Sequence, residues 1–326
     1  MHLDTYTLDE LKSELDALEH GPLDHFTDEE LVDRVLHLHH GYAQQFFSIR
    51  EGDTLFRAVR VRDRRPRHRS EISYAPPAFV SRRGRLNRPG SSIFYSSIHP
   101  YATLIECRAK VGDLFAVSAW RVRQPLVVGV LGHGQKASRS RAANSICLRI
   151  PGESDNNWMV REWQARIFVE KVPDDCEERY RLPNAFADLI LCGSEANKHD
   201  AKYSCGIAYP SIAFDLVPDN IALPPWVVDE RLDLVEVMLV TQDNNTHESG
   251  QRNLWNLRTY DFARPDTDEN LVWGQSSQVF VPQHETGQYE YRPRLELLPP
   301  KASHLGVFFN PFIRSVQGNP DRNLNL

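Results

Sequence analysis

The order of strand-like and helix-like segments constrains the fold of this chain more than any other feature of its sequence. Apolar and β-branched residues at 55–61, 114–122 and 126–131 predict strands, the last two as a pair. Helical spacing of apolar residues predicts helices at about 99–110 and 184–196. Strands and helices thus mix without the regular alternation of a doubly wound sheet, which predicts an α+β fold.

Two capping boxes indicate that the chain begins with a pair of helices. The sequences TLDE, from Thr7, and TDEE, from Thr27, each place a glutamate three residues after a threonine. Apolar residues at helical spacing follow both boxes, and Gly21 with the next proline ends the first helix. We therefore predict that residues 1–52 form a helical N-terminal extension.

The rest of the chain divides into a central domain and a C-terminal extension. The segment LDLVEVMLV (232–240) predicts the last strand of a central domain that spans residues 53–240. Beyond it, the polar stretch QDNNTHESGQRN predicts a loop, and pieces such as YEYRPRLELL are strand-like. We expect residues 241–326 to form a β-rich extension packed on the central domain.

The composition limits the environment and the partners that we expect. The chain is 41% hydrophobic and 25% charged, and it has no run of 18 apolar residues, so no membrane partner is expected. The five cysteines are dispersed without a CxxC pair, which is typical of reduced thiols and favours a cytoplasmic protein without disulfides or zinc. His37 and His40 alone make a poor metal face, so no metal is predicted.

Arginines are concentrated in one part of a chain whose formal net charge is −6. Seven lie between Arg57 and Arg69, and four more lie between Arg82 and Arg88. Guanidinium groups bind phosphates bidentately, so this Arg57–Arg88 cluster suits a diphosphate or a nucleic-acid backbone. Apart from Arg57 and Arg85, a solvated basic loop paired with acids elsewhere has equal weight. No nucleic-acid recognition motif accompanies the cluster.

Three further residues carry chemistry but also have ordinary structural interpretations. Glu106 lies at the edge of an apolar helical stripe, where it either pairs with an arginine for structure or lies in a cleft for catalysis. Tyr95 is on a short predicted strand, and an aromatic residue there is more often part of the core. Ser211 has no GxSxG elbow around it, so a binding or capping hydroxyl is favoured over a nucleophile.

Together, five segments resemble the RES domain family, which is named for its arginine, glutamate and serine. They are LFRAVR with Arg57, GRLNRPG with Arg85, IFYSS with Tyr95, YATLIECRA with Glu106 and GIAYPS with Ser211. The order and the short spacings resemble those of the family over about residues 53–240. Leu86 departs from the family, which often has an aromatic residue after the arginine.

The resemblance implies an ADP-ribosyltransferase-like fold, with mixed β-sheets flanked by helices, and NAD as the substrate. Arg57 and Arg85 would bind the NAD phosphates, and Tyr95 would pack on the nicotinamide or its ribose. Glu106 would be the catalytic carboxylate, assisted by Arg57 and Tyr95, and Ser211 would hold the dinucleotide by a hydrogen bond. NAD would be consumed rather than serve as a cofactor, with phosphate as a candidate co-substrate.

These residue types suit cleavage of the bond between nicotinamide and ribose. The reaction builds positive charge on the ribose, as in other glycosidic cleavages, and a nearby carboxylate stabilises that charge. Two arginines on the diphosphate would orient the scissile bond. The predicted function is therefore NAD glycohydrolase or NAD phosphorylase activity of a toxin or defence type.

Two alternative functions stay open. A protein ADP-ribosyltransferase would use the same chemistry, with a protein side chain as the acceptor. A catalytically inactive nucleic-acid-binding module would instead use the Arg57–Arg88 cluster. The expected partners are NAD and either a neutralising antitoxin or a protein substrate. A homo-oligomer stays open, and nucleic acid is not favoured.

Overall fold

The computed structural model describes residues 2–134, 152–173, 176–196, 204–211, 219–246, 254–282 and 289–290. Its helices in these residues are α1 (Leu8–His20), α2 (Asp28–His39), α3 (Pro100–Glu106), α4 (Asp155–Val169), α5 (Arg181–Ala196) and α6 (Pro225–Arg231). Its strands there are β1 (Phe46–Ile49), β2 (Thr54–Val61), β3 (Phe94–Ser97), β4 (Leu114–Val122), β5 (Leu126–Val130), β6 (Gly206–Pro210), β7 (Asp219–Leu223), β8 (Leu232–Thr246), β9 (Leu254–Pro265), β10 (Leu271–Trp273), β11 (Val281–Pro282) and β12 (Tyr289–Glu290).

One ten-stranded sheet has the order β1-β5-β6-β7-β3-β2-β4-β8-β9-β10. Neighbouring strands are antiparallel except β5 and β6, which are parallel. In central strand β4 every residue from Phe115 to Trp120 is buried, which explains why this run is apolar except at Ser118 rather than alternating. The α+β prediction is confirmed by this mostly antiparallel sheet and its helices.

The N-terminal helices form as predicted, because both capping boxes are complete. In each box the threonine side chain accepts from the backbone N–H of the third helical residue, and the glutamate there accepts from the threonine N–H. Buried residues of α1 and α2 share one apolar core with α4 and α5. The following strand β1 pairs with β5 in the main sheet. The N-terminal extension therefore contributes to both the core and the sheet.

Strand β8 crosses the predicted boundary between residues 240 and 241. It pairs with β4 on one side and β9 on the other. The loop predicted from residue 242 was therefore wrong for residues 242–246, because backbone pairing with β9 holds these polar residues in a strand. Residues 247–253 lie outside the described residues, as does most of YEYRPRLELL. In the described ranges no helix has the length and apolarity needed to span a membrane.

Strands β4 and β5 are not a pair, so that prediction was also wrong. Both edges of β4 are occupied by β2 and β8, whereas β5 lies between β1 and β6, far along the sheet. Helix α3 is shorter than predicted, because it ends at Glu106. Two residues later, Arg108 has a φ of +50°, outside the helical range. The early end places Glu106 in the last turn of the helix.

Candidate active site

A cavity of about 590 Å³ is lined by residues of β2, β3, β6, β7 and α3 and of the segment after α4. Four of the five residues singled out in the sequence line it: Arg57, Arg85, Tyr95 and Glu106. Its arginine, lysine and carboxylate side chains are Arg57, Arg85, Arg108, Lys171 and Glu106. Because four of these five are cationic, the electrostatic potential of the cavity favours an anionic ligand.

Arg57 lies where strands β2 and β3 separate. The strands share one paired position, Phe56 with Ser97. Beyond it, Arg57 Nη1 donates to the Tyr95 carbonyl at 2.8 Å, while its Nε is buried with no hydrogen-bond partner in the described structure. Burial lowers the pKa of Arg57, yet an arginine stays protonated at neutral pH. A half-buried cation whose buried Nε is an unused donor suits an anionic ligand.

Arg85 is held by neutral groups. Its Nη1 donates to the Phe168 carbonyl at 2.5 Å, and its Nη2 donates to the Glu170 carbonyl at 3.0 Å. Its guanidinium carbon is 5.3 Å from the centroid of the Tyr180 ring. Among the described residues, neither Arg57 nor Arg85 forms an ion pair with a carboxylate. Both side chains therefore retain their charge for a ligand.

Most other arginines of the Arg57–Arg88 cluster have acidic partners. Seven of the remaining nine form ion pairs, namely Arg60 with Asp113, Arg64 with Glu71, Arg65 with Asp261, Arg69 with Glu269, Arg82 with Glu177, Arg83 with Asp28 and Arg88 with Asp188. For these seven arginines the structure shows pairing with acids, which was the alternative to phosphate binding. The cluster is thus largely neutralised away from the cavity.

Tyr95 supports the segment that carries Arg85, which we call the Arg85 loop (residues 82–88). Its hydroxyl donates to Asn87 Oδ1 at 2.9 Å and accepts from the Leu86 N–H at 3.0 Å. Burial raises the pKa of Tyr95 well above its usual value, so the phenol is neutral. Its ring lines the cavity while its hydroxyl fixes the loop.

Glu106 is oriented through one of its two carboxylate oxygens. Ser211 Oγ donates to Oε1 at 2.6 Å, and Asn220 Nδ2 donates to the same oxygen at 2.8 Å. In the described part of the chain, Oε2 accepts no hydrogen bond, and Glu106 is exposed. Ser211, by contrast, is fully buried and does not line the cavity. Its observed contact is with Glu106, and the hydrogen bond from Ser211 to a dinucleotide stays a prediction.

The cavity residues that sequence reasoning missed include Lys171, Tyr180, Tyr209 and Asn220. Asn220 left a signal, because it is the buried amide of the otherwise apolar segment NIAL in β7. Lys171 and Tyr180 left none, since their neighbours in the sequence follow no motif. Burial raises the pKa of Tyr209, so its phenol is a neutral lining group.

The arrangement favours electrostatic stabilisation over covalent catalysis. Cys107 is among the lining residues, but burial raises the pKa of its thiol, so it is a poor nucleophile. Ser211 is buried, and its hydroxyl donates a hydrogen bond to Glu106. The cavity is instead lined by Glu106, one of whose oxygens accepts no hydrogen bond from the described residues, and by Arg57 and Arg85. The chain matches no protein-family model, and no significantly similar protein was found among the curated proteins or the solved structures.

Proposed function

We propose that this protein is an NAD-consuming enzyme of the RES type, built on an ADP-ribosyltransferase-like fold, that cleaves the nicotinamide–ribose bond. The observation that carries the proposal is the shared cavity. Within the described residues, its Arg57 and Arg85 have no carboxylate partner, and Oε2 of its Glu106 accepts no hydrogen bond. Its volume of about 590 Å³ lies within the usual range of ligand pockets. NAD offers complementary groups, a diphosphate for the arginines and a cationic nicotinamide riboside end for Glu106.

In the proposed reaction the bond between ribose C1 and the nicotinamide nitrogen breaks. Its electron pair goes to the pyridinium ring, so nicotinamide leaves neutral and needs no acid. The positive charge that develops on the ribose is stabilised by Oε2 of Glu106. Arg57 and Arg85 hold the diphosphate and thereby orient the bond. Water then adds to C1 and releases a proton, or phosphate adds and gives ADP-ribose 1-phosphate.

A nucleic-acid-binding function receives less support. Seven arginines of the Arg57–Arg88 cluster are ion-paired, so releasing them for a phosphate backbone would cost existing contacts. Four arginines of the cluster have no carboxylate partner among the described residues. Arg57 and Arg85 line the cavity, and only Arg62 and Arg67 lie exposed on the surface.

The test is release of nicotinamide from NAD by the purified protein, with and without phosphate. Mass analysis of the product distinguishes ADP-ribose from its 1-phosphate, and NAD labelled in its adenylate part reveals transfer to a protein. We expect Glu106→Gln to lower kcat by about 10²- to 10³-fold, because the amide cannot stabilise the cationic ribose. Glu51→Gln, in an exposed turn, is the matched control.

Two results would contradict the proposal in different ways. If nicotinamide is not released with water, phosphate or protein as acceptor, the proposed activity is wrong. If Glu106→Gln keeps the rate of the Glu51→Gln control, the activity has another origin and the assignment of Glu106 is wrong.

A further inference from the structure

The N-terminal helix pair contacts the Arg85 loop through one carboxylate. Asp28 Oδ2 accepts from Arg83 Nη2 at 2.9 Å and lies 3.4 Å from Arg88 Nη1. Arg83 and Arg88 flank Arg85 on its two sides in the loop. Asp28 of the N-terminal extension thus contacts the loop on both sides of Arg85, at Arg83 and at Arg88.

Asp28 is itself held rigidly. It is the first residue of α2, and its Oδ1 accepts from Arg181 Nε at 2.8 Å. The Arg181 guanidinium also donates to the backbone carbonyls of Leu23 and Phe26, in the turn just before α2. Burial raises the pKa of Asp28, but hydrogen bonds from Arg181 and Arg83 outweigh that effect and keep the pKa below its usual value. The carboxylate is therefore ionised and fixed.

Helix α5 holds the same loop from the other side. Asn184 Nδ2 donates to the carbonyls of Gly84 and Arg85 at 2.8 Å and 2.9 Å. Its Oδ1 accepts from Arg83 Nη1 at 2.9 Å. Arg83 therefore bridges Asp28 and Asn184, and it links the N-terminal helix pair to the backbone of Arg85 itself.

These contacts decide where the Arg85 guanidinium can lie. The group reaches the carbonyls of Phe168 and Glu170 from a loop whose backbone is fixed at residues 83–85. Arg85 has a long, flexible side chain, so a displaced loop would move its charged end within the cavity. Asp28 is not among the described residues that line the cavity, so it would act through the loop.

We propose that Asp28 is a positioning residue for the diphosphate of the substrate, and that the N-terminal extension serves to hold the Arg85 loop. This inference rests on the proposed function of the cavity. It separates the role of Asp28 from the chemistry, because the arginines bind the substrate while Glu106 acts on the scissile bond. Loss of the tether should therefore weaken substrate binding much more than it slows bond breaking, because Arg57 still orients the diphosphate and Glu106 is unchanged.

The test is the kinetics of the full chain carrying Asp28→Asn. We expect KM for NAD to rise about tenfold, the scale of one hydrogen bond to a charged group, while kcat changes less than about twofold. Glu29→Gln is the matched control, since Glu29 is the next residue, is 82% exposed and lies 3.8 Å from Arg88. If Asp28→Asn does not fold, Arg83→Gln loosens the same tether from the loop side.

A double-mutant cycle distinguishes positioning from general loss of stability. In an Arg85→Ala background, Asp28→Asn should raise KM no further, because the arginine that it positions is gone. An equal rise in both backgrounds would overturn the inference. So would a fall in kcat with unchanged KM, or an equal effect of Glu29→Gln.

Trypsin provides a readout that does not depend on NAD. Cleavage after the arginines of the Arg85 loop in the native protein should be about tenfold faster in Asp28→Asn than in wild type or Glu29→Gln, because the tether no longer restrains the loop. Unchanged cleavage would overturn the role of Asp28 even if NAD is consumed. If wild type releases no nicotinamide but the loop cleavage changes, the proposed activity fails while the tether stands.

Discussion

At the residue scale, the orientation of Glu106 depends on two donors that share one oxygen. Ser211 and Asn220 both donate to Oε1, which leaves Oε2 for a ligand. Asn220 is 3% exposed, and its amide also lines the cavity. A buried amide is costly unless it is hydrogen-bonded, so its contact with Glu106 offsets the cost of burying it. Asn220 therefore helps to set the geometry of the carboxylate.

Removing the Asn220 donor should slow the reaction more than it weakens binding. For Asn220→Ala we expect kcat to fall about tenfold with little change in KM, because one hydrogen bond from the amide to the carboxylate is lost and Oε2 is misplaced. The measurement is the rate of nicotinamide release against NAD concentration. Ser96→Ala is the matched control, since Ser96 lines the same cavity but donates to the Ile221 carbonyl at 2.8 Å. An equal loss in Ser96→Ala would show that packing, not the donor, is responsible.

Individual site residues could be predicted only as far as local motifs reach. Arg57, Arg85 and Glu106 stand in short segments that suggest their chemistry, and the structure brings them to one cavity. The partners of the other arginines could not be foreseen, because they are distant in sequence; Arg65 and Asp261 are 196 residues apart. Such ion pairs depend on the order of the strands in the sheet, and no local sequence pattern reveals that order.

At the element scale, helix α2 carries a buried polar chain that links it to α4. The Tyr42 hydroxyl donates to Gln164 Oε1 at 3.2 Å, and Gln164 Nε2 lies 2.7 Å from His39 Nε2. His39 Nδ1 lies 2.8 Å from the Val35 carbonyl, so Nδ1 carries the proton and Nε2 accepts from the glutamine amide. With the Gln164 amide in this orientation, neutral His39 satisfies the hydrogen bonds at both of its ring nitrogens.

Acid should therefore destabilise the packing of α2 on α4. Burial lowers the pKa of His39 from 6.5 to about 4. Between these two values the unfolded chain binds a proton that the folded protein excludes, so the free energy of unfolding falls as pH falls from 6.5 to 4. The contribution of His39 to this fall is about 3 kcal/mol at most.

The prediction is tested by urea unfolding of His39→Gln between pH 7 and pH 4. The variant lacks the titrating ring, so its free energy of unfolding should fall less than that of wild type, by about 3 kcal/mol at most over this range. His37→Gln, on the exposed face of the same helix, should follow wild type. Parallel curves for His39→Gln and wild type would contradict the assigned protonation.

Elements were predictable where their determinants are local. The capping boxes predicted the starts of α1 and α2 because threonine and glutamate satisfy backbone groups within the same turn. The early end of α3 depends on the left-handed backbone conformation of Arg108. Arginine rarely adopts this conformation, so the residue type did not predict it. The places of β4 and β5 depend on long-range pairing, so the short connection between them wrongly suggested a hairpin.

At the scale of the whole molecule, the N-terminal extension is structurally continuous with the central domain. Leucines of α1 and α2 pack in one core with Trp163 and Phe186, and β1 extends the main sheet. The same helices hold the Arg85 loop through Asp28. From the sequence alone, the extension was predicted as a helical hairpin laid before the central domain. Amphipathic spacing shows that one face of a helix is buried, but it does not show what covers that face.

Because the core is continuous, we expect that a destabilising substitution in α2 also makes the main sheet easier to unfold. Leu31 is fully buried in α2, so Leu31→Ala should lower the free energy of unfolding by about 2–5 kcal/mol.

The reporter for the sheet is Cys205, which is 3% exposed and lies in a separate apolar cluster. If helix pair and sheet unfold as one unit, thiol labelling of Cys205 in urea, followed by peptide mass analysis, should accelerate in Leu31→Ala. Leu8→Ala, 44% exposed on the neighbouring helix, is the control and should leave labelling unchanged. Unchanged labelling of Cys205 in Leu31→Ala, with early loss of helical signal, would instead show that the extension unfolds separately.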